Sequence, residues 1–416
     1  MFKVMYKNRV EIFIYIYTIV CFQFYRYIGL NIAVTKFLLF AIIPLMFGIC
    51  LKTIMLRHQS PLFRLMRWIL FSTAFSMVSA WVFREQPLML GYRISAYLFV
   101  FLFFFYLCKV KPSLRFLENY ILILGLLYVV LWLFAFSQLP NRVFYGGGEE
   151  DLIEDVSRGM ERINFTGRLS MILAYFLCLV RFSLTKRRIW LYATVFFFVF
   201  LVLQLTRQLI LWTALATVIY IYSFSKKYFI IGLMIVLSGG VFLKNVRLSE
   251  DTVIGAMIAL TEAQAKNNSY KSDEDIRITA YKFYMGDFSE NAVTDVIGNG
   301  MPHADSSYGK SLILAQSKGL YLSDVGYAKI YVINGIIGLL LYLVLFVFSL
   351  RKKIPQNLAY AQLFIIFLIP ANIAAGWYST PDCQIALSIC IYLIMRYSIT
   401  NRSKGKLIAE LEDTKS

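Results

Sequence analysis

The chain has 416 residues, of which 59% are hydrophobic, 17% aromatic and only 16% charged, and its formal net charge is +18. A soluble globular protein carries about 25% charged residues, and a single soluble core could not bury this much apolar surface. The composition therefore excludes a soluble enzyme. It also argues against a nucleic-acid partner, because the basic residues stand in short clusters between apolar runs.

Apolar runs long enough to cross a bilayer recur along the chain. A crossing needs about 20 mostly apolar residues. We predict twelve crossings, at residues 11–28, 32–51, 65–83, 91–109, 119–138, 165–182, 188–206, 207–224, 228–245, 325–350, 357–377 and 383–400. The fold class is therefore an all-α polytopic membrane protein, and the lipid bilayer is its first partner.

Lysine and arginine alternate between the predicted loops and give the orientation. One set of alternate loops, with the two termini, holds 24 basic residues. The short loops on the other side hold five, namely Arg26, Lys36, Arg84, Arg93 and Arg207. Cytoplasmic loops carry the excess of basic residues. We expect both termini in the cytoplasm of a bacterial cell, with the crossings in its inner membrane.

Two segments on the far side are too long or too polar for simple connections. Residues 139–164 form an acidic external loop, and residues 246–324 form a large extracytoplasmic loop. The predicted organisation is nine crossings within 1–245, the large loop 246–324, three crossings within 325–400 and a cytoplasmic tail over 401–416.

Cofactor and metal motifs are absent from the sequence. The six cysteines lie mostly inside apolar runs, and none has CxxC or Cys/His ligand spacing. There is no DxD motif or other cluster of ligand residues. We predict no metal, no cofactor and no disulfide framework.

Two arginines on the far side are candidates for binding an anion. Arg207 stands at the start of the eighth predicted crossing, where it either reaches the outer headgroups or faces inward as a bidentate phosphate ligand. Arg277 lies in the large loop, where an ordinary salt bridge with Asp273 or Asp275 is the alternative interpretation.

Two further residues are candidates for acid–base work. His303 belongs to the glycine-punctuated stretch GNGMPHADSSYG and is one of two histidines in the chain. Asp324 stands where the large loop meets the tenth crossing. It is either the N-cap of that helix or a general base at a site open to the outside.

The order of these features resembles the O-antigen polymerase and O-antigen ligase superfamily of membrane glycosyltransferases. Arg207 in the sequence TRQ matches the arginine at the start of a helix before the large loop. Arg277, followed by the Gly298-Asn299-Gly300 turn, matches a second arginine in the loop. The GIIGLL sequence at residues 335–340 matches the helix into which the loop returns.

This resemblance implies a GT-C-like fold and a surface-polysaccharide polymerase that uses undecaprenyl-diphosphate-linked oligosaccharides on the extracytoplasmic side. Arg207 and Arg277 would bind the substrate diphosphate, while Asp324 and His303 would be catalytic. A chain-length-regulating co-polymerase is the further partner that the family implies. The products open to such an enzyme are O-antigen of lipopolysaccharide, capsule and exopolysaccharide.

Two other functions stay open. The first is an O-antigen ligase, although ligases carry a His-Asn pair where this sequence has Asp324-Val325. The second is a flippase or transporter for lipid-linked oligosaccharides. A transporter is expected to have two similar halves and short external loops, whereas this chain has a long one.

Overall fold

The computed structural model describes residues 2–23, 32–138, 165–204, 206–224 and 276–398. Within these ranges the chain is helical and contains no β-strand. The α-helices are α1 (Phe2–Phe22), α2 (Ile32–Met55), α3 (Pro61–Phe83), α4 (Leu88–Ser95), α5 (Leu102–Val110), α6 (Leu114–Ser137), α7 (Arg168–Thr185), α8 (Arg188–Leu203), α9 (Arg207–Phe224), α10 (Ile276–Lys282), α11 (Ala292–Ile297), α12 (Ser307–Ser317), α13 (Gly326–Arg351), α14 (Ala359–Ala371) and α15 (Pro381–Tyr397). Short turns of 3-10 or π geometry join several of them, at Ala96–Phe101, Phe283–Asp287, Leu322–Asp324, Gln356–Leu358 and Trp377–Ser379.

Several helices have the length and composition of membrane spans. Among the described residues, six qualify: Lys36–Met55, Pro61–Phe83, Leu88–Val110, Leu114–Ser137, Arg168–Thr185 and Gly326–Arg351. Shorter apolar helices cover Val10–Phe22, Arg188–Leu203 and Gln356–Ala371. The protein is therefore a helical membrane protein, as predicted.

Helices coincide with eleven of the twelve predicted crossings. The predicted crossing 228–245, the acidic loop 139–164 and the tail 401–416 lie outside the described residues. Both the number of crossings and the orientation of the termini stay predictions.

The outward faces of the long helices are apolar. Phe37 on α2 is 68% exposed, Phe75 on α3 61%, Val130 on α6 60% and Ile189 on α8 66%. Water would make such surfaces prone to aggregation, whereas hydrocarbon solvates them at no cost. Apolar outward faces are therefore favourable for a helix bundle that is surrounded by lipid.

Residues 276–324, which we call the external segment after their predicted side of the membrane, have a small core of their own. This core contains Tyr284, Phe288, Tyr308, Leu312 and Leu320, and it continues into Val325, Ala328 and Val332 on the first turns of α13. The external segment is therefore packed onto the helix that it enters, and its position relative to the bundle is fixed.

A break in α13 provides the second attachment of the external segment. Gly335 has φ 66° and ψ −172°, which interrupts the helix. The backbone N–H of Asn299 donates to the carbonyl oxygen of Val332 over 2.7 Å, and that of Gly300 donates to Ile333 over 3.1 Å. The Gly298–Gly300 turn thus bonds to carbonyls at the break, which a polar backbone buried in a membrane protein requires.

Candidate functional site

A cavity of about 380 Å³ lies at one end of the helix bundle. Its walls come from the C-terminal end of α1, from the N-terminal ends of α2, α7, α13 and α15, from α4 and from the external segment. We call this end of the bundle the cavity end. The volume falls in the range of about 300–1,000 Å³ that is usual for small-molecule sites.

Four basic side chains line the cavity, and each comes from a different helix. They are Lys36 on α2, Arg93 on α4, Arg168 on α7 and Lys329 on α13. Asp382 on α15 is the one carboxylate among the described lining residues, so the cavity has a net formal charge of +3 with histidine neutral. A partly enclosed surplus of positive charge concentrates anions.

Arg168 is held in place by neighbours on two other elements. Its side chain is buried at the start of α7. Nε donates to the hydroxyl oxygen of Tyr128 on α6 over 3.5 Å, and Nη1 donates to Oγ1 of Thr206, just before α9, over 3.2 Å. These contacts fix the guanidinium group at the wall of the cavity.

Both carboxylate oxygens of Asp382 accept hydrogen bonds from backbone N–H groups. Oδ2 accepts the backbone N–H of Gly167 over 3.1 Å and that of Leu169 over 2.9 Å. Oδ1 accepts the N–H of Cys383 over 3.0 Å. A carboxylate is favourable at the N-terminus of a helix. Asp382 therefore ties α15 to the start of α7, and its engaged oxygens make it a poor general base.

The residues Met301–Ala304 line the cavity, and we call them the roof. Gln86, which follows α3 and is fully buried, holds the roof with both ends of its amide. Nε2 donates to the carbonyl oxygen of Met301 over 2.8 Å, while Oε1 accepts the backbone N–H of His303 over 2.8 Å and the Ser306 hydroxyl over 2.9 Å. The roof is therefore bound, through the side chain of Gln86, to the short segment between α3 and α4.

His303 is the imidazole of the roof and lines the cavity. Only 9% of its side chain is exposed. Its Nδ1 accepts the backbone N–H of Asp305 over 3.2 Å. Its backbone carbonyl accepts the Ser306 N–H over 2.9 Å. The ring is thus fixed through both its backbone and one nitrogen.

Arg84 joins α3 to the external segment beside the roof. Its guanidinium donates to Oδ1 of Asn299 over 2.9 Å and to the carbonyl oxygen of Phe288 over 2.6 Å, and it forms a salt bridge with Glu290. It also lies over the rings of Phe288 and Tyr308, 5.4 and 5.1 Å from their centroids. We call this cluster the Arg84 joint.

Tyr308 extends the joint toward the glycine turn. Its hydroxyl donates to the carbonyl oxygen of Gly300 over 3.1 Å. Burial raises the pKa of Tyr308, and the nearby Arg84 charge opposes that shift only in part. Tyr308 therefore stays a neutral donor at any physiological pH.

Aromatic and apolar side chains complete the lining. Tyr97, in the 3-10 turn after α4, accepts a hydrogen bond from Nε2 of Gln23 over 3.1 Å. Phe165 packs against Tyr128 with ring centroids 4.6 Å apart and the ring planes tilted by 32°. Trp377 precedes α15 and also lines the cavity. The cavity can thus bind a ligand that combines an anionic group with apolar or ring-shaped parts.

The four residues predicted from the sequence lie in different surroundings. His303 lines the cavity, whereas Arg207, Arg277 and Asp324 are not among its described lining residues. Arg207 is partly exposed at the start of α9, next to Thr206, to which Arg168 is bonded. Arg277 is exposed on α10.

Asp324 lies beside the cavity. It is exposed at the end of a 3-10 turn, and its neighbour Ser323 lines the cavity. The N-cap of α13 is Val325, which makes no side-chain capping hydrogen bond. The predicted alternative of Asp324 as N-cap therefore does not describe the start of this helix.

Sequence reasoning missed the cationic lining. In the sequence, Lys36 and Arg93 stand out only as two of the five basic residues of the short loops. Arg168 is not among the candidate site residues that the sequence indicates. Lys329 was visible, since a lysine inside an apolar run is costly and is a functional candidate by default. The same rule, applied to the first turn of each apolar run, also selects Arg168 in the run 165–182.

Comparison with known proteins gives no further lead. No model of a known protein family matches the sequence, and no curated protein is significantly similar to it. Among the described residues, no group of three or more His, Cys, Asp or Glu side chains is placed to hold a metal ion. The cavity and the sequence pattern are therefore the features from which a function can be inferred.

Proposed function

We propose that the chain is a membrane glycosyltransferase of the polymerase type, which joins undecaprenyl-diphosphate-linked oligosaccharide units outside the cytoplasm of a bacterial cell. The observation that carries this proposal is the cavity with Lys36, Arg93, Arg168 and Lys329 in its wall. The predicted orientation supports the proposal, because the distribution of basic residues predicts that the cavity end is extracytoplasmic.

The reaction explains why such a site needs cations. A hydroxyl of the acceptor attacks the anomeric carbon of the donor glycan, and the bond from that carbon to the diphosphate oxygen breaks. The electron pair stays on the lipid diphosphate, whose charge the site must stabilise. Four basic side chains in a partly enclosed space provide that stabilisation.

The acceptor hydroxyl loses its proton in the same step and needs a base. Asp324, next to the cavity residue Ser323, is the carboxylate that we assign to this role, because the oxygens of Asp382 are engaged by backbone N–H groups. Tyr97 and Trp377 would contact the sugar rings next to the diphosphate.

The test uses purified protein in detergent, mixed with lipid-diphosphate-linked repeat units and no other enzyme. We expect a ladder of longer glycans on a gel. The ladder should be lost in Arg93→Ala and Lys329→Ala and kept in Lys310→Ala, since Lys310 is an exposed lysine of α12 outside the cavity.

The alternatives give different results in the same system. A ligase would transfer one whole glycan to a second lipid acceptor without a ladder. A transporter would move the intact lipid-linked unit across a liposome membrane and leave its length unchanged. Either result, without a ladder, would overturn the polymerase proposal.

A further inference from the structure

The ring of His303 has one nitrogen engaged and one available. Nδ1 accepts the Asp305 N–H over 3.2 Å. Nε2 makes no hydrogen bond within the described part of the chain, and it is not among the fully buried polar atoms without a partner. Nε2 is therefore the nitrogen that a molecule in the cavity can reach.

The bond at Nδ1 determines where the proton is. A neutral imidazole has one protonated nitrogen and one that accepts. Since Nδ1 accepts from a backbone N–H, the proton belongs on Nε2. The opposite tautomer would need Nδ1 to donate to the Asp305 carboxylate, whose Oδ2 is 3.7 Å away and beyond hydrogen-bonding distance.

The backbone keeps this arrangement in place. Gln86 fixes the His303 N–H, and the Ser306 hydroxyl donates to the His303 carbonyl oxygen over 2.7 Å. Ser306 also caps α12, because its Oγ accepts the Gly309 N–H over 2.9 Å. The turn that presents the Asp305 N–H to Nδ1 is therefore held on both sides, at the His303 backbone and at Ser306.

We propose that His303 keeps its proton on Nε2 and donates a hydrogen bond from it to an anionic oxygen in the cavity. If the proposed function is correct, on which this assignment rests, that oxygen belongs to the diphosphate of the lipid-linked substrate. In this tautomer Nε2 has no lone pair to offer, so His303 binds the leaving group and does not remove the acceptor's proton. The base must be another residue.

The tautomer can be measured without any activity. The chain has two histidines, so His58→Gln leaves His303 as the only one. The ring nitrogens of ¹⁵N-histidine-labelled protein are observed by NMR in detergent at pH 8.5, where histidine side chains are generally neutral. We expect the proton on Nε2. A proton on Nδ1 would overturn the inference.

Ligand contact is measured on the same sample. Adding undecaprenyl diphosphate should shift the Nε2–H resonance, whereas undecaprenol, which lacks the diphosphate, should not. If undecaprenyl diphosphate binds and leaves this resonance unchanged, the inference is wrong. If the resonance shifts but no glycan ladder forms with repeat units, the polymerase proposal fails and the His303 inference stands.

Amide substitutions give the kinetic arm of the test. Glutamine places its NH₂ group near the position of Nε2, whereas asparagine places it near Nδ1. His303→Gln should keep KM for the lipid-linked donor within about threefold, and His303→Asn and His303→Ala should raise it about ten- to hundredfold, as expected for a hydrogen bond to a charged group. Equal KM values for His303→Gln and His303→Ala would contradict the donor role.

Discussion

The Arg84 joint and the cavity lie side by side at the cavity end, and each contains an arginine contributed by the same stretch of chain. Arg84 has an amide oxygen, a backbone carbonyl, a carboxylate and two aromatic rings around its guanidinium. Arg93 lines the cavity and makes no hydrogen bond or salt bridge within the described residues.

This difference distinguishes an arginine whose donors are used within the protein from one whose donors face the cavity. A buried charge is costly unless it is paired and hydrogen-bonded. Arg84 is paired inside the protein and needs nothing further. Arg93 is only partly buried, and its fork of donors remains available to a ligand.

The two glycines at the contact between the Gly298–Gly300 turn and the break in α13 should show the largest effect. A Cβ at Gly298 would overlap the carbonyl oxygen of Ile333, and one at Gly335 would overlap that of Val296, and both residues have positive φ. We expect Gly298→Ala and Gly335→Ala to abolish the yield of monodisperse protein in detergent. Gly286→Ala is the control, since no atom lies within 4 Å of the position that its Cβ would take. Normal yields for both variants would show that the contact between the glycine turn and α13 is not needed for folding.

The next effect separates the two arginines. Removing Arg84 leaves Asn299 and the Phe288 carbonyl without their donor, which should cost about 3 kcal/mol of stability. Arg93→Ala should change stability by less than about 0.5 kcal/mol. Thermal unfolding in detergent measures the change in stability of Arg84→Ala and of Arg93→Ala. A Tm loss for Arg93→Ala as large as that for Arg84→Ala would remove the distinction.

Gln86, two residues after Arg84, holds the roof of the cavity, and a pH profile tests that contact. In Gln86→Glu, an ionised carboxylate cannot donate to the Met301 carbonyl, and burial at this site should raise the pKa of the new carboxyl. The protonated form has one donor and one acceptor, like the amide. The variant should therefore lose about 1–3 kcal/mol of stability above that pKa and regain it as the pH falls.

The parent protein is the control for this profile. It has an uncharged amide at position 86, so the difference in Tm between variant and parent should shrink on acidification. A difference that stays constant from neutral to acidic pH would show that the roof does not depend on the donor of Gln86.

The smallest effect concerns the arginines that the sequence favoured. Because Arg207 and Arg277 are not among the described cavity lining, we expect Arg207→Ala and Arg277→Ala to weaken undecaprenyl diphosphate binding by less than about threefold. Arg168→Ala should weaken it about tenfold or more. A larger loss of binding in Arg207→Ala and Arg277→Ala than in Arg168→Ala would show that the diphosphate binds at the arginines matched by the family resemblance.

The sequence predicted the helices well, because run length and composition are local properties. His303 was also found, since a histidine in a glycine-rich stretch stands out in an apolar chain. The break at Gly335 was not predicted. The sequence GIIGLL reads as continuous helix, and the break depends on a turn far away in sequence that bonds to the Val332 and Ile333 carbonyls.

The cavity could not be predicted for a related reason. Its cations come from four helices, and nothing in the spacing of Lys36, Arg93, Arg168 and Lys329 shows that they meet. The sequence also gives no means to tell Arg84 from Arg93. Their difference comes from the partners that the fold brings to one of them and not to the other.

Whether the cavity binds a diphosphate can be measured as the affinity of the purified protein for undecaprenyl diphosphate in lipid nanodiscs. Arg93→Ala is compared with Lys310→Ala, which removes the same charge from the exposed surface of α12. We expect binding by the parent, an unchanged Kd for Lys310→Ala and a Kd at least about tenfold higher for Arg93→Ala. Equal Kd values for the two variants would contradict the claim that the cavity binds the diphosphate.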